Sequence, residues 1–212
     1  MADLGCGSGR FLRFLAVRGW QGTYVGVDSS PGLLEIAAGE IGRGRTRIDA
    51  DKSESGSIQV TFVQADLLDP NWPAQLGGLI PDVIVAIAVL HHIPGAAQRA
   101  RFIAACAQLL PAAGLLILTT WQFMSSPRLR ARVLPWETVG LTNDDVEPGD
   151  YLLAWGRGEA GRRYCACIEP DALCGLAAQA GLTLVETFRA DGHEGNLNLY
   201  GVFRKKGCII AM

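Results

Sequence analysis

The first nine residues constrain the fold more than any other part of the chain. The sequence DLGCGSG begins at Asp3 and is followed by a segment with helical spacing from Arg10. Its three glycines, Gly5, Gly7 and Gly9, are typical of a turn in which bare backbone lies against a nucleotide. The N-terminus of the following helix would direct unpaired N–H groups at an anionic part of that ligand. The start of the chain therefore predicts a strand, a ligand-binding turn and a helix.

A second acidic residue stands where a ribose-binding carboxylate is expected. Residues 23–27 alternate in hydrophobicity and run into Asp28, about one βαβ spacing beyond Gly9. The dinucleotide pattern G-x-G-x-x-G would need glycine where this chain has Arg10, which disfavours an NAD site. The sequence therefore favours an adenosine ligand of another kind. The alternative is a tight strand-to-helix turn in which Asp28 caps a helix.

Composition limits the kinds of protein that this chain can form. Its 212 residues, 49% hydrophobic and 19% charged, predict one globular domain over residues 1–212. The net charge of −2 gives no electrostatic support for nucleic-acid binding. Apolar runs are too short for a bilayer, so we expect no membrane association and a cytoplasmic location. The histidines lie far in sequence from Cys165 and Cys167, so we expect reduced thiols and no metal.

Helical and strand patterns alternate along the chain. Helices are predicted over residues 10–17, from a cap at Ser30 with Pro31 in the first turn, over 96–110 and over 171–180. Strands are predicted over residues 24–27, 58–63, 83–88, 115–120, 183–188 and 199–203. This alternation predicts a doubly wound, mostly parallel α/β sheet that closes with an antiparallel C-terminal strand. Residues 39–56 are expected to form a polar loop.

The predicted domain has three parts. Residues 1–120 form a cofactor-binding half, residues 121–165 an irregular substrate-side insertion or lid, and residues 166–212 the closing helix and strands. Only two residues precede Asp3, so we expect either a start further upstream or a shortened central strand with an open cofactor site.

These motifs resemble those of the class I S-adenosylmethionine-dependent methyltransferases over nearly all of the chain. DLGCGSG matches their first motif, VGVD the second, QADL the third and LLPAAG the turn before the fifth strand. The resemblance implies a Rossmann-like fold, S-adenosyl-L-methionine as cofactor, ribose binding by Asp28 and adenine contacts from Asp66 and Leu67. The cofactor residues that it implies are Asp3, Gly5, Cys6, Gly7, Gly9, Asp28, Ser29, Asp66, Leu67 and Ala86. Alternatively, Asp66 only caps the loop that follows it.

A narrower resemblance is to the tRNA wobble-uridine carboxymethyl methyltransferases, which esterify a carboxymethyl group on an anticodon uridine. IAVLHHI at 87–93, TTW at 119–121, GDYLLAW at 149–155 and RRY at 162–164 stand in the order of that family. The resemblance implies tRNA as a partner, and a low net charge would then require an activating protein partner to supply phosphate contacts. The candidate catalytic residues are His91, which follows the fourth strand, with Arg163 and Tyr164. The family usually has RYYH where this chain has RYCA, so a small-molecule acceptor stays open.

The nature of the methyl acceptor decides which side chains the reaction needs. Methyl transfer from a sulfonium is an in-line displacement that depends on positioning and on exclusion of water. A carboxylate acceptor is already ionised, whereas a hydroxyl or ring nitrogen benefits from a base. Of the two histidines after the fourth strand, His91 is favoured for the acceptor pocket, and His92 either packs or faces the pocket. Three functions stay open: methylation of a modified tRNA uridine, methylation of a small molecule, and cofactor binding without turnover.

Aromatic and basic residues of the insertion predict a lid. Arg162 and Arg163 offer guanidinium groups to a carboxylate or phosphate, and Trp121 and Trp155 could stack on a base. The alternative is that the tryptophans belong to the core and the arginines to a solvated face.

Overall fold

The computed structural model describes residues 1–42, 58–156 and 161–207. The strands are β1 (Ala2–Leu4), β2 (Gly22–Asp28), β3 (Ile58–Gln64), β4 (Val83–Ala86), β5 (Leu115–Trp121), β6 (Val133–Leu134), β7 (Asp150–Trp155), β8 (Gly161–Ala166), β9 (Leu182–Ala190) and β10 (Asn198–Lys205). The α-helices are α1 (Arg10–Val17), α2 (Pro31–Gly42), α3 (Ala96–Leu109), α4 (Pro127–Arg130) and α5 (Pro170–Gln179). Of the predicted loop 39–56, residues 39–42 belong to α2 and residues 43–56 lie outside the described ranges.

Seven strands form one sheet in the order β3-β2-β1-β4-β5-β10-β9. The pairs among β1 to β5 are parallel, and β10 pairs antiparallel with both β5 and β9. The predicted fold class, with its antiparallel C-terminal strands, is confirmed. Strand β1 is central, and its three residues are buried between β2 and β4. The carboxyl ends of these parallel strands lie on one edge of the sheet, which is where ligands bind in open α/β folds.

The two N-terminal helices begin as the sequence predicts. Helix α1 follows Gly9, whose φ of +73° is a left-handed conformation that favours glycine. Ser30 caps α2, because its Oγ accepts a hydrogen bond from the Leu33 amide at 3.3 Å, and Pro31 fills the first turn. Among the helices of the described ranges, none has the apolar length that a bilayer crossing requires.

Helices α3 and α5 cover one face of the sheet. Phe102, Ile103 and Cys106 of α3 are buried in the same apolar cluster as Leu173 and Ala177 of α5. These residues recur at helical spacing, so each helix presents one apolar stripe to the sheet. The packing holds the α3 N-terminus close to the loop that follows β4.

The prediction of an irregular stretch over residues 121–164 is wrong for part of that stretch. Strands β6, β7 and β8 form a separate antiparallel sheet in the order β6-β7-β8. Leu153 and Cys165 of this sheet are buried with Phe123 and Leu129 in a small second core. The strands are short and the first three residues of β8 are a glycine and two arginines, so the period-two pattern is too weak to see in the sequence. This second sheet stands over the carboxyl edge of the large sheet.

Candidate functional site

A cleft of about 510 Å³ lies at the carboxyl edge of the large sheet. Its walls come from the loops after β1, β2, β3 and β4, from Trp121 at the end of β5, and from Arg163 of β8. Of the residues that the resemblance implies, the cleft brings together Gly5, Gly7, Asp28, Ser29, Asp66, Leu67 and Arg163. It therefore joins the glycine turn to Trp121 of the large sheet and Arg163 of the second sheet.

The glycines of the first turn serve different purposes. A Cβ atom at Gly5 would lie 2.4 Å from Cγ2 of Val89, whereas a Cβ at Gly7 would meet nothing within 4 Å. Both residues have positive φ, +72° and +53°, which a side chain would strain. Gly5 is thus required by packing against the β4 loop. Gly7 keeps the floor of the cleft open to a ligand.

Asp28 ties the glycine turn to the start of α2. Its carboxylate accepts a 2.9 Å hydrogen bond from the Gly7 amide and another of 2.9 Å from the Ser30 amide. The capping interpretation of Asp28 therefore describes part of its role. A carboxylate has about four lone-pair positions, so these two bonds leave acceptor capacity for the two hydroxyls of a ribose.

Asp66 and Leu67 line the cleft beside the end of β3. Asp66 is exposed, and its Oδ1 accepts a 2.9 Å hydrogen bond from the Leu68 amide, as the capping alternative expects. Its second carboxylate oxygen can accept from an amino group such as that of adenine. Leu67 is half-buried beside it and provides an apolar surface.

Four of the implied cofactor residues lie behind the cleft rather than on it: Asp3, Cys6, Gly9 and Ala86. Asp3 is 2% exposed and accepts a hydrogen bond from the Tyr24 hydroxyl, so its side chain points into the sheet. Burial raises the pKa of Asp3 to about 7 and that of the Cys6 thiol to about 12. The Asp3 side chain therefore does not line the cleft, and its implied contact with the cofactor stays a prediction.

The structure places the two histidines differently from the sequence-based preference for His91 in the pocket. His92 lines the cleft, whereas His91 is fully buried. Both belong to a 3₁₀ turn over Leu90–His92, in which successive side chains point about 120° apart. Leu90 and His91 therefore turn into the protein and His92 turns out. The His91 ring stacks on Trp121, with 5.0 Å between ring centroids.

Burial and the nearby Arg163 keep both imidazoles neutral near pH 7, because their effect on each pKa outweighs that of the backbone hydrogen bonds, which raise it. Burial lowers the pKa of His91 well below its usual value, and nearby His92 and Arg163 lower it further. Burial and Arg163 also lower the pKa of His92. His92 Nδ1 lies 3.0 Å from the Tyr164 carbonyl oxygen, which can only accept, so this nitrogen carries the proton. Its Nε2 is then an acceptor at the cleft.

Arg163 of the second sheet lines the cleft beside Trp121 and His92, at the end that we call the acceptor end. Its guanidinium carbon lies 4.2 Å from the centroid of the Trp155 ring. Trp155 in turn packs on Trp121, with 5.5 Å between centroids. The stack holds a cation beside an aromatic plane, an arrangement that suits a planar anion.

Tyr164 does not reach the cleft with its hydroxyl group. The hydroxyl donates to Asp150 at 2.5 Å and accepts from Arg99 at 2.9 Å. These contacts give Tyr164 a structural role, in which the side chain anchors β8 and the carbonyl orients His92. The implied catalytic role for Tyr164 stays a prediction.

A buried ionic network connects α3 to the second sheet. Arg99 is 6% exposed, lies 3.0 Å from Glu147 and 3.6 Å from Asp150, and donates to the Ile93 carbonyl at 3.1 Å. Sequence reasoning missed Arg99 and Asp150. The available signal was a single arginine among the apolar positions of α3, which is unusual for a core-facing stripe.

Comparison with known proteins assigns the family. A family model described as a methyltransferase domain matches residues 2–187. The chain belongs to this family. Membership agrees with the predicted enzyme class, a methyltransferase, and with S-adenosylmethionine as its methyl donor. The first three methyltransferase motifs of the sequence, DLGCGSG, VGVD and QADL, each supply residues that line the cleft.

One curated relative and several solved structures resemble this methyltransferase. Rv1506c of Mycobacterium tuberculosis, whose methyltransferase name is itself provisional, is 35% identical over 81 residues, which span 35% of this chain and 49% of that protein. The chain thus matches about half the length of this relative. A methyltransferase of Methanosarcina mazei, titled as S-adenosylmethionine-dependent, has a TM-score of 0.69 at 18% identity and covers 97% of this chain and 91% of its own.

Two further structures share the fold. CcbJ methyltransferase of Streptomyces caelestis has a TM-score of 0.65 at 18% identity, over 96% of this chain and 87% of its own. NodS of Bradyrhizobium japonicum, titled as an N-methyltransferase in complex with S-adenosyl-L-homocysteine, has a TM-score of 0.59 at 16% identity, over 97% and 77%. The identities are low, so these structures establish the fold alone.

Proposed function

We propose that this chain transfers a methyl group from S-adenosylmethionine to a planar acceptor that carries a carboxylate. The observation that carries the proposal is the single cleft in which Gly7 and Asp28 lie at one end and Arg163 and Trp121 at the other. A donor and an acceptor bound in that order would meet between the loop after β4 and the second sheet.

The cofactor end supports an adenosine ligand with a charged tail. Gly7 leaves open space where backbone can approach the ligand, and Asp28 has acceptor capacity for ribose hydroxyls. The N-terminus of α1 follows Gly9 and favours a carboxylate such as that of the methionine moiety. Asp66 and Leu67 supply a hydrogen-bond acceptor and an apolar contact suited to adenine.

The acceptor end supports an anionic, planar substrate. Arg163 can pair with a carboxylate, and the Trp121 ring at the cleft can pack on a planar group. A carboxylate is ionised at neutral pH and can attack the methyl group without a base. A carboxymethyl uridine of tRNA has this chemistry, in keeping with the narrower resemblance in the sequence. The net charge of −2 means that long-range attraction for RNA would have to come from local arginines or a partner.

A small-molecule acceptor is the second candidate, and His92 favours it. A neutral imidazole with its Nε2 at the cleft can accept a proton from a hydroxyl or an amine, which a carboxylate acceptor would not need. The similar structure NodS is titled as an N-methyltransferase. The two candidates differ in the chemistry of the product, which is an ester in the first case and an ether or amine in the second.

Transfer of a labelled methyl group separates the candidates. S-adenosylmethionine with a labelled methyl is incubated with the chain and either bulk tRNA or a panel of small aromatic carboxylates, phenols and amines. We expect label that mild base releases, as from an ester, and we expect Arg163→Gln to abolish it. Arg162→Gln is the matched control, since Arg162 precedes it on β8 and is exposed.

The outcomes are distinct. Base-labile label in tRNA supports the uridine carboxylate, and base-labile label in a small acid supports the same chemistry on a smaller substrate. Base-stable label would favour the second candidate. Cofactor binding without transfer to any acceptor would contradict the enzymatic proposal and favour a binding role.

A further inference from the structure

His92 at the cleft and two buried side chains behind it, His91 and Cys165, form a group that the proposed reaction does not use as a unit. The donor atoms of His91, His92 and Cys165 all lie within 4.8 Å of one another. The histidines belong to the turn after β4 and the cysteine to β8, so only the folded chain brings them together. The sequence-based expectation of no metal rested on their separation along the chain, and the structure removes that ground.

His91 presents a buried nitrogen without a partner. Among the described residues, its Nε2 is one of two buried side-chain polar atoms that make no hydrogen bond. The residue is 0% exposed. An unsatisfied buried polar atom costs about 1–3 kcal/mol, so such an atom usually has a ligand or a function. A bound ion at this position would satisfy it.

Backbone groups set the tautomer of each ring. His92 Nδ1 lies 3.0 Å from the Tyr164 carbonyl oxygen, to which it donates, so its Nε2 is free to bind a metal. His91 Nδ1 accepts a 3.2 Å hydrogen bond from the Trp121 amide, so the neutral, metal-free ring carries its proton on Nε2. Metal binding at Nε2 requires this proton to move to Nδ1, where the Thr119 carbonyl can accept a hydrogen bond in place of the Trp121 contact. Metal-binding histidines commonly donate their second nitrogen to a carbonyl in this way.

We propose that His91, His92 and Cys165 bind one divalent transition-metal ion of the Zn²⁺ class, with the fourth coordination position open towards the cleft. Imidazole and thiolate are the ligands that Zn²⁺ prefers, and three protein ligands with one open position are typical of catalytic zinc sites. The site rests on these three side chains and not on the proposed methyl transfer.

The geometry requires a small contraction. Zn–N bonds of about 2.0–2.1 Å and Zn–S bonds of about 2.3 Å place donor atoms of a tetrahedral site roughly 3.3–3.6 Å apart. The present separations of up to 4.8 Å must therefore shorten by about 1 Å. His92 is only partly buried and borders the cleft, so its ring can move and the ion can enter on this side.

Charge balance favours an anionic fourth ligand. Binding releases the Cys165 thiol proton to solvent, so the ion, one thiolate and two neutral imidazoles carry a net charge of +1. Arg163 lies close enough to act electrostatically on both histidines and adds a second positive charge. A hydroxide or carboxylate that enters from the cleft would offset this charge.

Cobalt substitution tests the site directly. The full chain, freed of metal by dialysis against a chelator, is titrated with Co²⁺ while absorbance is recorded, and Zn²⁺ affinity is measured by competition with a chromophoric chelator. We expect one equivalent of Co²⁺ to give the near-ultraviolet band of a cobalt–thiolate bond and the visible bands of a tetrahedral site. Cys165→Ser should remove the thiolate band. Cys167→Ser, which alters a partly exposed thiol beside Glu169, is the matched control and should retain it.

His92→Asn gives an independent test should Cys165→Ser fail to fold by circular dichroism. We expect this variant to bind Zn²⁺ at least about tenfold more weakly, since even loss of a supporting group costs about 10–100-fold in metal affinity. No cobalt spectrum from the folded chain, or a thiolate band that persists in Cys165→Ser or disappears in Cys167→Ser, would overturn the proposal. The readout is metal binding, so its failure is distinguishable from a failure of methyl transfer.

Discussion

Alanine at two neighbouring glycines should have different effects on stability and on cofactor binding. Gly5→Ala places a methyl 2.4 Å from Cγ2 of Val89 at a φ of +72°. The left-handed conformation costs about 1–2 kcal/mol and overpacking costs about 1–3 kcal/mol, so we expect a loss of about 2–5 kcal/mol in the free energy of unfolding. Gly7→Ala has a φ of +53° and open space around the methyl, so it should lose only about 1–2 kcal/mol.

The affinity for S-adenosylmethionine should fall more in Gly7→Ala, although this variant is the more stable of the two. The methyl of Gly7→Ala enters the cleft, so we expect S-adenosylmethionine to bind at least about tenfold more weakly, or about 1.4 kcal/mol. The stability of each variant is measured by urea denaturation followed by tryptophan fluorescence, and the affinity by calorimetric titration.

Removal of the clashing side chain provides the control. Val89→Ala in the Gly5→Ala background should restore the part of the free energy of unfolding that was lost to overpacking, and not the part lost to the left-handed conformation. A double-mutant cycle measures the restored part. Equal destabilisation by Gly5→Ala and Gly7→Ala, or no recovery in the double variant, would refute the assignment of Gly5 to packing. Unchanged affinity in Gly7→Ala would refute the ligand contact.

Further predictions concern the network, the buried carboxyl and the ligand. Tyr164→Phe leaves Arg99 with one hydrogen bond fewer and should destabilise the chain by about 1–3 kcal/mol in urea denaturation. Tyr151→Phe, on the adjacent strand, is the control, and equal losses would contradict the network. Asp3 has a folded pKa of about 7 against an ordinary 3.8, because burial favours the protonated form. Its stabilising contribution is complete below pH 3.8 and is lost as the pH rises towards 7, with an upper bound of about 4 kcal/mol. Asp3→Asn should therefore show a smaller fall in the urea midpoint between pH 4 and 7 than the wild type, and an equal fall would exclude Asp3 as the source. S-adenosylmethionine at one hundred times its Kd should stabilise the chain by about 2.7 kcal/mol in thermal unfolding, and an unchanged Tm would contradict specific binding.

The large sheet could be predicted because its signals are local. Apolar strands, the Ser30 cap and the glycine turn each specify their own conformation, and parallel topology follows from their alternation. The second sheet could not be predicted in the same way. Strand β6 has two residues, and β8 begins with Gly161 followed by two arginines, so neither strand has an apolar pattern and tertiary packing stabilises both.

The site could be predicted at the level of segments but less well at the level of side chains. Asp28 lies on the cleft because β2 ends there, and Arg163 reaches the cleft from within β8. Which of His91 and His92 faces the cleft depends on the residue at which one 3₁₀ turn begins, and the sequence does not show that position. Asp3 turns inward because of a partner, Tyr24, on another strand. Contacts between distant segments are the features that sequence reasoning lacked.

Calorimetric titration with S-adenosylmethionine tests the central claim most directly, since the cleft is argued to be the cofactor site. The wild type is compared with Asp28→Ala and with the matched control Asp69→Ala, which removes a carboxylate that accepts a similar bond from the amide two residues on. We predict saturable binding at one site, lost in Asp28→Ala and retained in Asp69→Ala. A folded wild type that gives no binding, or an Asp28→Ala variant that binds as the wild type does, would contradict the account.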